Sequence, residues 1–336
     1  MLKIATEEAF SIPEVADALG ALAARGDPSL DMPLVRSIYG DGAAGDNRLL
    51  VGLLDVERER LRVMDGNGVD MHLLSLTAPG VQMFEAAEGT RLARVANDYL
   101  ADVVRRHPTR FAGLASFAPQ DPAAAAKEIA RARAELGLHG LVVNSHTHDE
   151  YYDDPKFWPI FEAAEAHRAA IYIHPRAPAA RMARGFADYR MDGALWGYGI
   201  ETSTHALRLI FSGLFDRFPG LTIVLGHMGE GIPFWLWRID YMHAAMSRTS
   251  DMPRLEMKPS DYFRRNFAIT TSGQENPLAL RYSIDMLGVD RVLWAIDYPY
   301  QPTAPAVKFM DEAPLTDEER AAVYGGNAAR IFHIER

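Results

Sequence analysis

Short apolar segments alternate with longer segments of helical periodicity along most of the chain. Eight of the short segments consist almost wholly of apolar residues, which is typical of parallel strands that are buried on both faces. We predict strands at Leu2–Thr6, Val69–Leu76, Phe111–Phe117, Gly140–Asn144, Ala170–His174, Leu221–Gly226, Phe267–Thr271 and Arg291–Ile296.

Between these strands the apolar residues recur with the period of an α-helix. The best marked segment begins at Asp121-Pro122, a capping residue followed by proline at the first helical position, and stops at Gly137. We predict helices at Leu53–Asn67, Arg91–His107, Pro122–Leu136, Pro155–His167, Thr202–Phe215, Pro233–Ala245 and Pro277–Leu287.

Eight strand–helix alternations in 336 residues predict one α/β domain over residues 1–336, folded as a (β/α)₈ TIM barrel. The alternative is a doubly wound open sheet. That fold would favour a glycine-rich phosphate turn after the first strand, where this chain has Thr6-Glu7-Glu8-Ala9-Phe10.

Three long segments fit no barrel element: residues 9–47, 176–198 and 248–259. Segments of this length inside a compact domain are usually functional or disordered. We expect residues 9–47 to form a lid or a subunit contact.

The composition excludes several classes of function. The net charge is −10, from 45 acidic and 35 basic residues, and no cluster of Lys and Arg is present, so we expect no nucleic-acid partner. No apolar run approaches the ~20 residues of a membrane-spanning helix, and the first residues lack the pattern of a signal peptide. We therefore expect a cytoplasmic protein without a membrane partner. Because there are no cysteines, any metal must be held by His, Asp and Glu.

Titratable residues follow four of the predicted strands. Glu7, His174, His227 and Asp297 come after the first, fifth, sixth and eighth strands, and the carboxyl ends of barrel strands meet at one mouth, where active sites form. Each residue has an alternative interpretation: a solvated or capping glutamate, a hydrogen-bonded core histidine, the start of a helix, and an ordinary turn residue. Their joint placement favours a functional site.

Three of these residues form a plausible ligand set. Glu7, His174 and Asp297 offer two carboxylates and one imidazole, which suits Mn²⁺ or Mg²⁺ and also permits Zn²⁺.

Over nearly its whole length the chain resembles the amidohydrolase-2 family, and within it the metal-dependent non-oxidative decarboxylases of aromatic acids. The motifs that carry the resemblance are residues 5–10, 172–175, 226–230 and 297–300. Within the group, residues 144–147 and 297–301 favour the 5-carboxyvanillate decarboxylases, followed by the 2,3-dihydroxybenzoate and γ-resorcylate decarboxylases.

The resemblance implies roles for the residues at the strand ends. Glu7, His174 and Asp297 match the metal ligands of the family, and His227 and Glu230 match its second catalytic pair. Many relatives have histidine two residues after the first ligand, where this chain has Ala9, and this difference favours one Mn²⁺ over Zn²⁺. We expect Asp297 to protonate the substrate ring.

The resemblance also indicates residues that contact the substrate. Arg238 matches a substrate-binding arginine, and Arg48 is the nearest match to an arginine of the lid, with Arg36 and Arg58 as alternatives. Three further residues have two interpretations each: Tyr300 and Trp196 line the aromatic slot or pack in the core, and Asn144 contacts substrate or only ends a strand.

We therefore expect decarboxylation of an ortho-hydroxy aromatic carboxylic acid with release of CO₂. The alternatives are a metal-dependent hydrolase on the same barrel and a binding barrel with a structural metal. The aromatic-rich helix Pro233–Ala245 packs in the core or forms a subunit interface; we expect the interface, in a homodimer or homotetramer.

Overall fold

Eight parallel strands form one sheet in which each strand pairs with its neighbours in the sequence, in the order β1 to β8. The computed structural model describes residues 1–40, 47–249 and 252–335. The strands are β1 Ile4–Phe10, β2 Met71–Leu76, β3 Phe111–Ser116, β4 Gly140–Asn144, β5 Ile171–His174, β6 Ile223–Leu225, β7 Phe267–Thr270 and β8 Val292–Leu293.

The two ends of the sheet approach each other. The backbone N–H of Thr6 donates to the carbonyl of Trp294 at 3.1 Å, and that of Ala9 donates to Tyr298 at 2.8 Å. These bonds join β1 to the segment that follows β8 and nearly close the sheet into a barrel. The predicted (β/α)₈ barrel is confirmed, and the doubly wound alternative is wrong.

The strands are apolar because both of their faces are buried. Inside the barrel, Leu73, Leu114, Val142, Val224 and Leu293 belong to one buried cluster. The C-terminal residues Ile331, Phe332 and Ile334 pack against the same cluster. Side chains on the outer face contribute to a second and larger core beneath the surrounding helices.

Helices connect and surround the strands. Those of seven residues or more are Pro13–Arg25, Met32–Tyr39, Arg48–Leu54, Glu59–Gly66, Ala86–Arg106, Pro122–Ala134, Trp158–Ala166, Gly197–Phe211, Ile232–Met246, Pro259–Asn266, Pro277–Leu287 and Thr303–Glu312. Shorter helices lie at Ala180–Ala183, Leu214–Arg217, Asp317–Ala321 and Asn327–Ile331. None of the helices in these described ranges is both long enough and apolar enough to cross a membrane.

Several predicted boundaries differ from the structure. The strand predicted at Leu2–Thr6 runs instead to Phe10, and its pairing with β2 shifts in register between Ala5 and Glu8. Glu7 therefore lies within β1, at a bulge, rather than after the strand. The helix predicted at Leu53–Asn67 is two helices, Arg48–Leu54 and Glu59–Gly66.

The segment predicted as a lid or subunit contact, residues 9–47, contains two helices that pack on the barrel. Val15 and Leu19 of the first helix and Val35 of the second are fully buried in the main core. Residues 41–46 of this segment lie outside the described residues, as do residues 250 and 251 of the predicted irregular segment 248–259.

Candidate metal centre

The structure brings the three predicted ligands together. Glu7 lies in β1, His174 ends β5 and Asp297 follows β8, yet one ligand atom from each lies within 4.8 Å of the others. Nε2 of His174 is 3.5 Å from Oε1 of Glu7. The bulge in β1 contributes to this arrangement, because a bulge changes the direction in which a strand side chain points.

The two carboxylate oxygens of Glu7 have different surroundings. Oε2 accepts hydrogen bonds from the hydroxyls of Tyr172, Thr270 (3.1 Å) and Ser272. Oε1 is buried and has no hydrogen-bond partner. A buried carboxylate oxygen without a donor is costly, and Oε1 faces His174. A divalent cation at this position would satisfy it, so the site fits a metal ion.

His174 is oriented as a ligand. Its Nδ1 donates to the backbone carbonyl of Pro175 at 2.7 Å, which leaves the lone pair of Nε2 directed at Glu7. Burial lowers the pKa of His174, so the imidazole stays neutral. A neutral imidazole with its second nitrogen held by an acceptor is the usual state of a histidine ligand.

The two carboxyl groups differ in their protonation. Burial opposes the charge of Glu7, but His227, His174 and the hydroxyls of Ser272 and Tyr172 together lower its pKa below the ordinary value. Burial and the charge of Glu7 raise the pKa of Asp297 well above its ordinary value. Two carboxyl groups whose pKa values are shifted in opposite directions can supply one permanent anion and one proton donor.

A second pair adjoins the three ligands. Nδ1 of His227 donates to Oε1 of Glu230 at 2.8 Å, and Nε2 of His227 lies 3.9 Å from Oε1 of Glu7. Burial opposes the charged imidazole, but Glu230, Glu7 and Asp297 outweigh it and raise the pKa of His227 to about 10. His227, Met228, Glu230 and the glycines between and after them have positive φ, so residues 227–231 form a left-handed turn rather than the start of a helix.

A cavity of about 560 Å³ opens onto this centre. His174, His227 and Asp297 form its polar floor. Its walls come from the segment 30–37 and from the segments that follow β2, β5 and β8, and they consist of Leu30, Pro33, Leu34, Ser37, Ala78, Pro175, Ala177, Arg190, Asp192, Gly193, Ala194, Tyr198, Tyr300 and Gln301. The size of the cavity and the mixture of apolar and polar side chains on its walls suit a small aromatic ligand.

Among the predicted substrate residues, only Tyr300 lines this cavity. Its hydroxyl lies 2.6 Å from Oγ1 of Thr77. Asn144 is buried away from the cavity, where its backbone N–H donates to Oε1 of Gln82 at 2.8 Å. The proposed substrate contact of Asn144 stays a prediction. Trp196 precedes the helix Gly197–Phe211, is 56% exposed and lies outside the cavity wall.

The two predicted arginines do not reach the cavity of their own chain. Arg238 is exposed on the helix Ile232–Met246, and Arg48 is exposed at the start of the helix Arg48–Leu54. Among the residues that the structure describes, Arg190 is the arginine that lines the cavity. Sequence reasoning missed it because the position of Arg190 depends on the path of an irregular loop.

Sequence reasoning assigned no role to the donors to Glu7. Tyr172 lies two residues before His174 in β5, and Thr270 and Ser272 are two residues apart at the end of β7. Strand residues separated by two share a face, so this spacing could have identified all three as neighbours of the ligands.

Known proteins resemble this chain over almost its full length. The crystal structure of 5-carboxyvanillate decarboxylase from Sphingomonas paucimobilis is 63% identical, has a TM-score of 0.97 and covers 99% of either chain. The 5-carboxyvanillate decarboxylase of Novosphingobium aromaticivorans, complexed with manganese and 4-hydroxy-3-methoxy-5-nitrobenzoic acid, is 38% identical with a TM-score of 0.95, over 99% of this chain and 96% of that one. The γ-resorcylate decarboxylase of Polaromonas sp. is 38% identical over 343 residues, 99% of either chain.

The predicted resemblance is thereby confirmed. The three relatives described above are decarboxylases of aromatic acids, and one of them holds manganese together with a nitro-substituted hydroxybenzoic acid. The family model described as Amidohydrolase matches residues 55–334. The chain belongs to the amidohydrolase family.

Proposed function

We propose that this protein is a Mn²⁺-dependent decarboxylase that removes CO₂ from an ortho-hydroxy aromatic carboxylic acid without oxidation. The observation that carries the proposal is the cluster of Glu7, His174 and Asp297, of which His174 and Asp297 lie on the floor of a cavity with apolar, aromatic and polar walls. The names of the relatives favour 5-carboxyvanillate as substrate and γ-resorcylate as the second candidate.

The metal ion would be held by Glu7, His174 and Asp297. When bound, it would fix the substrate through neighbouring anionic oxygens and stabilise negative charge on them. Glu7 meets this role because its free oxygen is directed at His174 and its other oxygen is held by three hydroxyl groups.

Loss of CO₂ directly from the ring would leave an aryl carbanion of high energy. Protonation of the ring carbon that bears the carboxylate avoids this species. Asp297 lies on the cavity floor beside the other two ligands, and it delivers a proton to that ring carbon. The C–C bond then breaks, its electron pair returns to the ring to restore aromaticity, and CO₂ leaves.

His227 and Glu230 handle the phenolic proton, which the substrate gives up on binding and regains in the product, while Asp297 regains its own proton from solvent. Glu230 holds the imidazole through Nδ1, so Nε2 faces the centre. In that position Nε2 can hold a proton beside the phenolic oxygen of the substrate.

Release of CO₂ from a panel of hydroxybenzoic acids tests the proposal. We expect the Mn²⁺-loaded protein to convert 5-carboxyvanillate or γ-resorcylate, and we expect Asp297→Asn to abolish turnover. In deuterium oxide, the product should carry deuterium on the carbon that lost the carboxylate. A hydrolase would instead place oxygen from isotopically labelled water in its product, and that result, or turnover by metal-loaded Asp297→Asn, would contradict the proposed mechanism.

We also propose that the chain forms a homodimer or homotetramer through the helix Ile232–Met246. Phe234, Trp235, Trp237 and Tyr241 on this helix are each more than half exposed, and the rings of Trp237 and Tyr241 stack at 5.3 Å. A contiguous aromatic surface of this kind favours a protein contact. The substrate roles of Arg48 and Arg238, the cytoplasmic location and the absence of nucleic-acid and membrane partners stay predictions.

A further inference from the structure

The second glutamate of β1, Glu8, contacts the backbone on both sides of Asp297. Its Oε1 accepts the N–H of Ile296 at 3.0 Å, and its Oε2 accepts the N–H of Tyr298 at 3.1 Å. Glu8 is fully buried. Successive strand residues point to opposite faces, so Glu7 faces the metal centre whereas Glu8 faces the segment that carries Asp297.

These two hydrogen bonds occur where the regular pairing of strands fails. β8 ends at Leu293, and β1 has a register shift between Ala5 and Glu8. The backbone bonds from Thr6 to Trp294 and from Ala9 to Tyr298 flank the interruption. The carboxylate of Glu8 therefore accepts two N–H groups that a neighbouring strand carbonyl would accept in a regular sheet.

The backbone between those two N–H groups is strained. Asp297 has a φ of 74°, in the left-handed region that residues other than glycine rarely adopt. Such a conformation costs roughly 1–3 kcal/mol and persists only where the surroundings enforce it. In this conformation the side chain of Asp297 lies beside Glu7 and His174.

Two buried basic side chains, Arg60 and His72, lie near Glu8 without hydrogen-bonding to it. Arg60 donates to the carbonyls of Ala9 at 2.5 Å and Gly52 at 3.2 Å, and its guanidinium lies 4.8 Å from the ring centre of Tyr298. Nδ1 of His72 is 3.8 Å from Oε2 of Glu8. Glu8, Arg60 and His72 are not among the residues that line the substrate cavity.

We propose that Glu8 is a positioning residue for Asp297. Its carboxylate binds the two peptide N–H groups around Asp297, selects the left-handed conformation and so places the Asp297 side chain in the metal centre. The inference rests on the proposed role of Asp297 as metal ligand.

Two variants of Glu8 and one matched control test the inference. Glu8→Gln keeps the size of the side chain and one acceptor oxygen, but its NH₂ group cannot accept the second N–H. Glu8→Ala removes both acceptors. The control is Glu128→Gln, since Glu128 is also buried and accepts hydrogen bonds, from Asn97, Arg94 and Arg131, but it does not line the cavity.

The measurements are the dissociation constant of Mn²⁺, from the electron paramagnetic resonance signal of free Mn²⁺, the melting temperature with a chelator, and kcat and KM. We expect Glu8→Gln to weaken Mn²⁺ binding ~10-fold and Glu8→Ala ~100-fold, the range found for residues that orient metal ligands. Both Glu8→Gln and Glu128→Gln should lower the melting temperature, but only Glu8→Gln should change the Mn²⁺ affinity.

Folded Glu8→Gln protein whose Mn²⁺ affinity and kcat stay within about two-fold of the unmodified protein would overturn the inference. If Glu8→Ala does not fold, Glu8→Gln decides alone. If the inference about Glu8 fails but the unmodified protein still binds Mn²⁺ and releases CO₂, the proposed function stands. Failure of the unmodified protein to bind Mn²⁺ would overturn both.

Discussion

Tyr172→Phe is expected to weaken the metal centre without changing its ligands. The Tyr172 hydroxyl donates to Oε2 of Glu7 and lies 3.2 Å from Oγ1 of Thr270. Burial and the charge of Glu7 raise the pKa of Tyr172 well above its ordinary value, which favours the protonated hydroxyl that donates to Glu7. Phenylalanine keeps the ring in the buried space and removes only this donor.

The size of the effect follows from the charge of the acceptor. A hydrogen bond to an ionised group contributes about 1.5–3 kcal/mol, and about 1.4 kcal/mol corresponds to a ten-fold change in affinity. Thr270 and Ser272 continue to donate to the same oxygen, so the lower part of this range applies. We expect Mn²⁺ to bind about ten-fold more weakly.

In the assay, metal-free protein is titrated with Mn²⁺, and the concentration of free Mn²⁺ is measured from its electron paramagnetic resonance signal. Tyr152→Phe is a matched control, because Tyr152 is also fully buried and bonds through its hydroxyl to Thr147 and Gln82, outside the cavity wall. Folded Tyr172→Phe protein that binds Mn²⁺ as tightly as the Tyr152→Phe protein would refute the assignment of Tyr172 as an orienting group for Glu7.

Three further predictions concern the second pair, the pH dependence of folding and the aromatic surface. Glu230→Gln weakens the acceptor of His227 Nδ1, so we expect kcat to fall about 10–100-fold with a smaller change in KM; steady-state kinetics with unchanged kcat would contradict this role. Burial lowers the pKa of His205 to about 3, and its Nε2 accepts the N–H of Tyr152. The neutral His205 of the folded protein therefore contributes to stability. This contribution is complete above the pKa of 6.5 of the unfolded chain and is lost as the pH falls from 6.5 towards 3, because the unfolded chain binds a proton that the folded protein does not. We expect His205→Gln to reduce the slope of unfolding free energy against pH by about 1.4 kcal/mol per pH unit in this window, as measured by urea unfolding; an equal slope in both proteins would exclude the assignment. Trp237→Lys on the exposed aromatic surface should shift the protein towards monomers in analytical ultracentrifugation, and an unchanged sedimentation coefficient would argue against that interface.

The fold could be predicted because parallel strands inside a barrel are apolar on both faces and form short, continuous runs. β4 was predicted with its observed ends, Gly140 and Asn144. β1 was predicted too short, because its second half carries Glu7 and Glu8, two buried charged residues that interrupt the apolar run. A local rule fails here where the site requires charge inside the protein.

The candidate site could be predicted only in part. The rule that strand ends converge identified Glu7, His174, His227 and Asp297, since it depends on topology alone. The same rule contains no information on which direction an exposed side chain takes. Arg48 and Arg238 could therefore be matched by motif, but their distance from the cavity of their own chain depends on helix orientation, which the sequence pattern does not specify.

Backbone strain is divided unevenly among the residues of the site. Glu7 and His174 lie in strands and have ordinary negative φ, whereas His227, Glu230 and Asp297 have positive φ. A strand is held by its ladder of backbone hydrogen bonds, but a left-handed residue needs specific partners, such as Glu8 beside Asp297 and the hydroxyl of Ser272, which accepts the N–H of His227 at 3.2 Å. The residues that we propose to transfer protons, Asp297 and His227, are therefore held in place by a few side-chain hydrogen bonds rather than by a strand. It follows that substitutions behind the site should change proton transfer and the contribution of Asp297 to metal binding before they disturb Glu7 and His174.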